Sequence, residues 1–169
     1  MTFIVTYTSF SDATPDQLWD TLLDIDSWPS WDVRLESTRS SAGLKKGSTY
    51  SLKPVNGNEI EVEVLKADRH VFTDIARVGF GTIETERRIA AADGGSLITQ
   101  TMRAKIKPES IRAFAKVFWD VWSQGMIDSA KALANVPKQQ APAFASPDEV
   151  AHLVAQHRNV PAGEARGAR

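Results

Sequence analysis

The stretch Ile111–Val136, IRAFAKVFWDVWSQGMIDSAKALANV, limits the possible folds of this chain more than any other segment. Ile111, Phe114, Phe118, Trp122, Gly125, Ser129 and Leu133 recur there at steps of three or four, which aligns side chains along one face of an α-helix. Pro108 suits the first turn, where its missing N–H costs nothing, and Pro137 predicts the end of the helix. At 1.5 Å per residue the helix runs to about 40 Å, the width of a whole domain. Burying each large aromatic contributes about 2–3 kcal/mol, so the rest of the chain must supply a cover for the stripe. Gly125 costs a helix about 1 kcal/mol relative to alanine, so it predicts a close approach or room left for another group.

The preceding residues supply that cover as strands. Phe3–Phe10 is rich in β-branched and aromatic residues and predicts strand 1. Thr14-Pro15-Asp16-Gln17 then forms a capping-box pattern that starts a helix, with Leu18, Trp19, Leu22 and Leu23 as its apolar face. Ser27-Trp28-Pro29-Ser30-Trp31 predicts a tight turn or a short second helix. Further strands are predicted at Val33–Arg39, Ser48–Pro54, Glu59–Lys66, Val71–Ala76, Thr82–Ala90 and Leu97–Ile106. Asn56-Gly57 predicts a two-residue hairpin between the second and third of these, and Asp93-Gly94-Gly95 marks another hairpin. Alternation such as Ile60, Val62 and Val64 against Glu59, Glu61 and Glu63 leaves one face wet and one to be covered. The fold class is therefore α+β: a curved antiparallel sheet of about seven strands around the long C-terminal helix, with two short helices between strands 1 and 2.

Composition narrows function mainly by exclusion. A formal net charge of −1, from 20 basic and 21 acidic residues, argues against a nucleic-acid binder. The chain has no cysteine, which removes disulfides, thiolate catalysis and cysteine-ligated zinc. His70, His152 and His157 are not spaced as one site, so neither a metal nor a histidine general base is expected. Gly79-Phe80-Gly81 lacks the third glycine of a phosphate loop, and no cofactor is expected. No apolar run approaches the roughly 18 residues of a membrane span, and the start MTFIVTYTSF reads as a strand, so the expected location is cytoplasmic. Residues 1–137 are read as the domain, and 138–169 as an Ala/Pro-rich tail in which a short helix at 147–158 either docks on the domain or on a second subunit of a homodimer, or frays.

The residues Ala13-Thr14-Pro15-Asp16-Gln17-Leu18-Trp19, followed by Asp26-Ser27-Trp28-Pro29-Ser30-Trp31, carry a resemblance. From Phe3 to Val136 the chain resembles the polyketide cyclase/dehydrase and lipid-transport group of the START-like superfamily, which shares the helix-grip fold of the birch-pollen allergen. The resemblance implies a cavity between long helix and concave sheet that takes a hydrophobic or amphipathic small molecule: a lipid, a quinone or a polyketide-like compound. It also keeps two rivals in play, a cyclase or dehydratase using the same cavity and a partner-binding module. In the last, the tail and Trp119 form the contact surface.

Pairing Ala92 with Gly95 sets a register in which Ile89 faces Ile98, Arg87 faces Gln100, Thr85 faces Met102 and Ile83 faces Ala104. The apolar members choose the inward side, and Arg87, Gln100 and Thr85 are carried in with them. An inward arginine either reaches a carboxylate or awaits an acidic ligand group. The same parity places Tyr50, Leu52, Ile60, Val62 and Val64 inside, and Trp31, Phe114, Phe118 and Trp122 complete the apolar wall. The cavity-lining set is thus Trp31, Tyr50, Leu52, Val62, Thr85, Arg87, Gln100, Met102, Phe114, Phe118 and Trp122. The bland reading of the aromatics is plain core, and Trp28 is read as holding the fold. For an enzyme, Arg87 would steady an oxyanion and Tyr50 would exchange a proton.

Overall fold

The computed structural model describes residues 1–140, with side chains through Val136. The tail helix expected at 147–158 lies outside the described residues. The strands are β1 (Thr2–Ser11), β2 (Leu35–Arg39), β3 (Thr49–Pro54), β4 (Ile60–Asp68), β5 (Val71–Val78), β6 (Gly81–Ala92) and β7 (Gly95–Ile106). They form one antiparallel sheet in the order β1-β7-β6-β5-β4-β3-β2. The β6–β7 register is the one the Asp93-Gly94 turn predicts, with Arg87 opposite Gln100 and Thr85 opposite Met102.

Between β1 and β2 lie α1 (Pro15–Leu23), a 3₁₀ turn at Ile25–Ser27 and α2 (Trp28–Trp31). The capping box is formed: Thr14 Oγ1 accepts from the Gln17 N–H at 3.3 Å, and Gln17 Oε1 accepts from the Thr14 N–H at 2.9 Å. Leu18 and Leu22 are fully buried under this helix. Trp28 donates its indole N–H to the Leu22 carbonyl at 2.9 Å, which anchors α2 against the end of α1.

Two turns depart from expectation. β3 and β4 are joined by five residues rather than two, through a Pro54–Gly57 turn closed by a 3.0 Å bond and with Asn56 at φ 61°. β4 and β5 instead meet in a two-residue turn in which Arg69 and His70 both have positive φ, 49° and 62°. That is the primed-turn geometry that matches strand twist. The strand predicted from Val33 begins at Leu35, and Val33 is 85% exposed.

The C-terminal helix is not straight α. It consists of α3 (Ile111–Ala113), a π turn (Phe114–Phe118) and α4 (Trp119–Gln140). Within the π turn the Trp119 N–H bonds to the Phe114 carbonyl, five residues back. The extra residue shifts the buried stripe to Phe114, Trp119, Trp122, Met126, Ala130 and Leu133, of which Trp119 and Trp122 are half-buried. Phe118 is turned outward and is 40% exposed, which corrects its expected place in the wall. Trp119, expected as an exposed contact surface, packs on Phe3 and Phe114 with ring centroids 5.3 and 6.2 Å away. The helix also continues through Pro137 to Gln140 rather than stopping there, since a proline removes one bond of the ladder without forbidding helical backbone.

Gly125 faces a close neighbour. A Cβ at this position would lie 2.5 Å from Arg34 NH1, so the glycine makes room for a guanidinium. Arg34 is itself held by Asp32, through Nε at 3.0 Å and NH2 at 2.7 Å. The segment after α2 is thereby laid over the long helix.

Candidate functional site

Strand parity brings three cross-strand rows to the inward face of the sheet. One runs Tyr7–Gln100–Arg87–Phe72, the next Val5–Met102–Thr85–Asp74–Val64, and the third Phe3–Ala104–Ile83–Ala76–Val62–Tyr50. Directly opposite residues on such rows have Cβ atoms about 4.5–5.5 Å apart, so polar members of adjacent rows can meet.

They do meet. Asp74, 4% exposed, accepts from Arg87 NH1 at 2.8 Å and from the Tyr50 hydroxyl at 2.8 Å, both on Oδ2. The Arg87 side chain keeps 12% of its surface accessible and that of Asp74 6%. The Arg87 guanidinium carbon lies 5.5 Å from the Trp28 ring centroid and 5.6 Å from that of Phe72. Trp28 in turn meets Tyr50 edge-on at 5.6 Å. A buried cation is thus satisfied by a carboxylate and two aromatic faces, while the Tyr50 phenol donates to the same carboxylate.

The electrostatics of Tyr50 follow from this packing. Burial holds its phenol well above the ordinary tyrosine pKa. The Asp74 charge and the bond to Asp74 push the same way, while the Arg87 charge opposes them. Tyr50 is therefore a fixed proton donor to Asp74. Its proton is engaged by Asp74, so the proton exchange expected of it in a cyclase would require that bond to open.

Gln100 is 2% exposed and lies across the ladder from Arg87. Its Oε1 is, among the described residues, the one buried side-chain oxygen or nitrogen without a hydrogen-bond partner. Thr85 and Arg87 remain half-buried in the middle of the inward face of β6, whereas Ile83 and Ile89 at either side are 4% and 5% exposed. Along β6, then, accessibility falls on Thr85 and Arg87 and not on the isoleucines that flank them.

The remaining expected residues divide. Val62 and Met102 are buried at 3% each on the inward face, and Leu52 is half-buried at the β2–β3 pairing. Trp31 is buried at 7% beside Trp28, with ring centroids 6.0 Å apart, but Trp28 is the tryptophan that touches Arg87. Phe114 and Trp122 belong to a second cluster around Phe80, with Phe80–Phe114 at 5.4 Å, Phe80–Phe118 at 5.7 Å and Phe80–Trp122 at 5.9 Å. Asp74, Trp28 and Phe80 are the residues that sequence reasoning missed. A groove of about 430 Å³ lies elsewhere, lined by residues that include Thr49, Glu61, Glu63 and Arg77 of the outward face. Its arginine already bridges Glu63 at 2.7 Å.

Among the described residues no group of three histidines or carboxylates could hold a metal ion, and His70 is bound to Asp16 at 2.8 Å. No described helix is long and apolar enough to cross a membrane.

Solved structures share the architecture at low identity. Norcoclaurine synthase from Thalictrum flavum, determined in complex with dopamine and hydroxybenzaldehyde, is 14% identical with a TM-score of 0.65, over 83% of this chain and 88% of that one. The di-domain ARO/CYC StfQ of the steffimycin biosynthetic pathway is 12% identical with a TM-score of 0.67, over 85% of this chain and 53% of its own. A START superfamily protein from Mycobacterium smegmatis is 14% identical with a TM-score of 0.61, over 80% and 97%. These likenesses establish the helix-grip fold. Among curated proteins none matches the chain. The family model described as polyketide cyclase/dehydrase and lipid transport matches residues 2–141, most of the length over which the fold has just been described, and the chain belongs to that family.

Proposed function

We propose that the protein binds a hydrophobic or amphipathic small molecule between the concave sheet and the C-terminal helix, with the polar end of the ligand toward Arg87, Asp74, Tyr50 and Gln100. The observation that carries this reading is the partial accessibility of Thr85 and Arg87 on β6, between the buried Ile83 and Ile89. In a filled core such positions would be sealed. Trp28, Phe72 and Met102 around them offer an apolar wall to the body of the ligand, and the polar cluster orients its end. The family's description, with its lipid-transport members, supports the same class of ligand.

Thr85→Trp tests this directly. In a fully packed core an added ring costs about 1–3 kcal/mol, whereas an open recess accommodates it. The expected result is near-unchanged thermal stability together with loss of one-to-one binding of a neutral apolar fluorophore, N-phenyl-1-naphthylamine. A wild-type protein that leaves the fluorophore unbound would sink the reading, and so would a Thr85→Trp variant that binds it normally.

Cyclisation or dehydration of a polyketide-like chain in the same recess is the second reading, favoured by the Arg87 N–H groups beyond the one spent on Asp74. These would steady a developing enolate. Turnover of such a chain separates this reading from binding alone.

A further inference from the structure

Gln100 carries an inference that rests on the binding reading above. Its amide oxygen is buried and unpartnered, although buried acceptors are nearly always satisfied by protein, water or ligand. The position is not at a sheet edge or a loop. It is central on β7, across from Arg87 on one side and Tyr7 on the other. Both neighbours stay partly accessible, so a group lodged beside Arg87 over the middle of the sheet would lie next to Gln100.

The charge balance around Gln100 restricts what that group can be. Arg87 is already neutralised by Asp74 at 2.8 Å. A carboxylate head would bring a second negative charge beside Asp74, which like-charge repulsion and desolvation both disfavour. An ether or a hydrocarbon end would leave the Gln100 oxygen unpaired. A hydroxyl suits both neighbours, because it donates to Gln100 Oε1 and accepts from an Arg87 N–H not used by Asp74. We propose that Gln100 sets the specificity of this site, selecting an uncharged, hydroxyl-bearing head group on an otherwise apolar ligand over the corresponding ether and carboxylate.

Calorimetric titration of the full chain with 2-naphthol, 2-methoxynaphthalene and 2-naphthoate tests this, because the three share one apolar body. The expected order is 2-naphthol tightest by about tenfold over 2-methoxynaphthalene, the difference one buried hydrogen bond makes, with 2-naphthoate weakest. In Gln100→Leu, and in Gln100→Met should the leucine variant fold poorly, 2-naphthol and 2-methoxynaphthalene should converge while the latter keeps its wild-type affinity. Equal wild-type affinity for the alcohol and the ether overturns the proposal, leaving the binding reading intact and a trapped water as the partner of Gln100. A preference that persists in both variants also overturns it, by removing Gln100 from the recognition. Tightest binding of 2-naphthoate overturns the charge argument. Absence of binding by all three overturns the binding reading together with this one.

Discussion

Asp74→Ala is expected to lower stability by about 3–5 kcal/mol, measured by denaturant unfolding, because it strands a buried cation. Arg87 would lose the carboxylate at 2.8 Å, and Tyr50 would lose the acceptor of its hydroxyl, also at 2.8 Å. With 12% of its side-chain surface accessible, Arg87 has little water to fall back on. Asp74→Asn keeps an acceptor for Tyr50 and removes only the charge, so it should fall between wild type and alanine. Replacing all three members, as in Asp74→Leu with Arg87→Met and Tyr50→Phe, should recover most of the loss, since a buried polar cluster is often matched by apolar residues of similar size. A loss below about 1 kcal/mol for Asp74→Ala would show that Arg87 escapes to solvent, as surface pairs do. The pair would then not be an organising element of the site.

Phe114→Ala and Phe118→Ala should differ sharply, although a straight helix would make the two residues equivalent. Phe114 is 1% exposed and packs on Phe3 at 5.1 Å, Phe80 at 5.4 Å and Trp119 at 6.2 Å. Its truncation should cost about 3–5 kcal/mol, as for other buried aromatics. Phe118 is 40% exposed and its nearest ring is that of Phe80, at 5.7 Å. Its truncation should cost about 1 kcal/mol, the scale of an aromatic pair. The comparison reads the π turn directly. Equal losses at the two positions would mean that the helix carries its stripe without the extra residue.

The sheet was legible because its signals are local. The Thr14–Gln17 cap, the Asp93-Gly94 turn and strict alternation on β4 each specify one conformation, and together they place Arg87 opposite Gln100. The helix interior was less so. Stepping by three and four from Phe114 leads to Phe118, and nothing in the composition of FAKVF marks a π turn. The reason emerges only in three dimensions, where Phe3 presents a ring that Phe114 and Trp119 both reach, and Phe80 one that Phe114 and Trp122 both reach. Asp74 escaped notice for a different reason. On β5, Val71, Thr73 and Ile75 suggest a buried face as strongly as Phe72, Asp74 and Ala76 do, so parity alone does not choose between them. The register with β6 decides, by setting Phe72 opposite Arg87 and Asp74 opposite Thr85. Trp28 was hidden by proximity to Trp31, since either indole of a W-P-S-W segment fits a core.

Under the proposed binding function, a ligand would cover Thr85 and Arg87 and complete the hydrogen bonding of the Gln100 oxygen. Native mass spectrometry of the protein, purified under mild conditions from the organism that makes it, tests this most directly. The expected spectrum shows a fraction of the protein carrying one small molecule, released on denaturation and identified as apolar with a hydroxyl at one end. A folded protein that repeatedly shows only the mass of the bare chain would contradict the account.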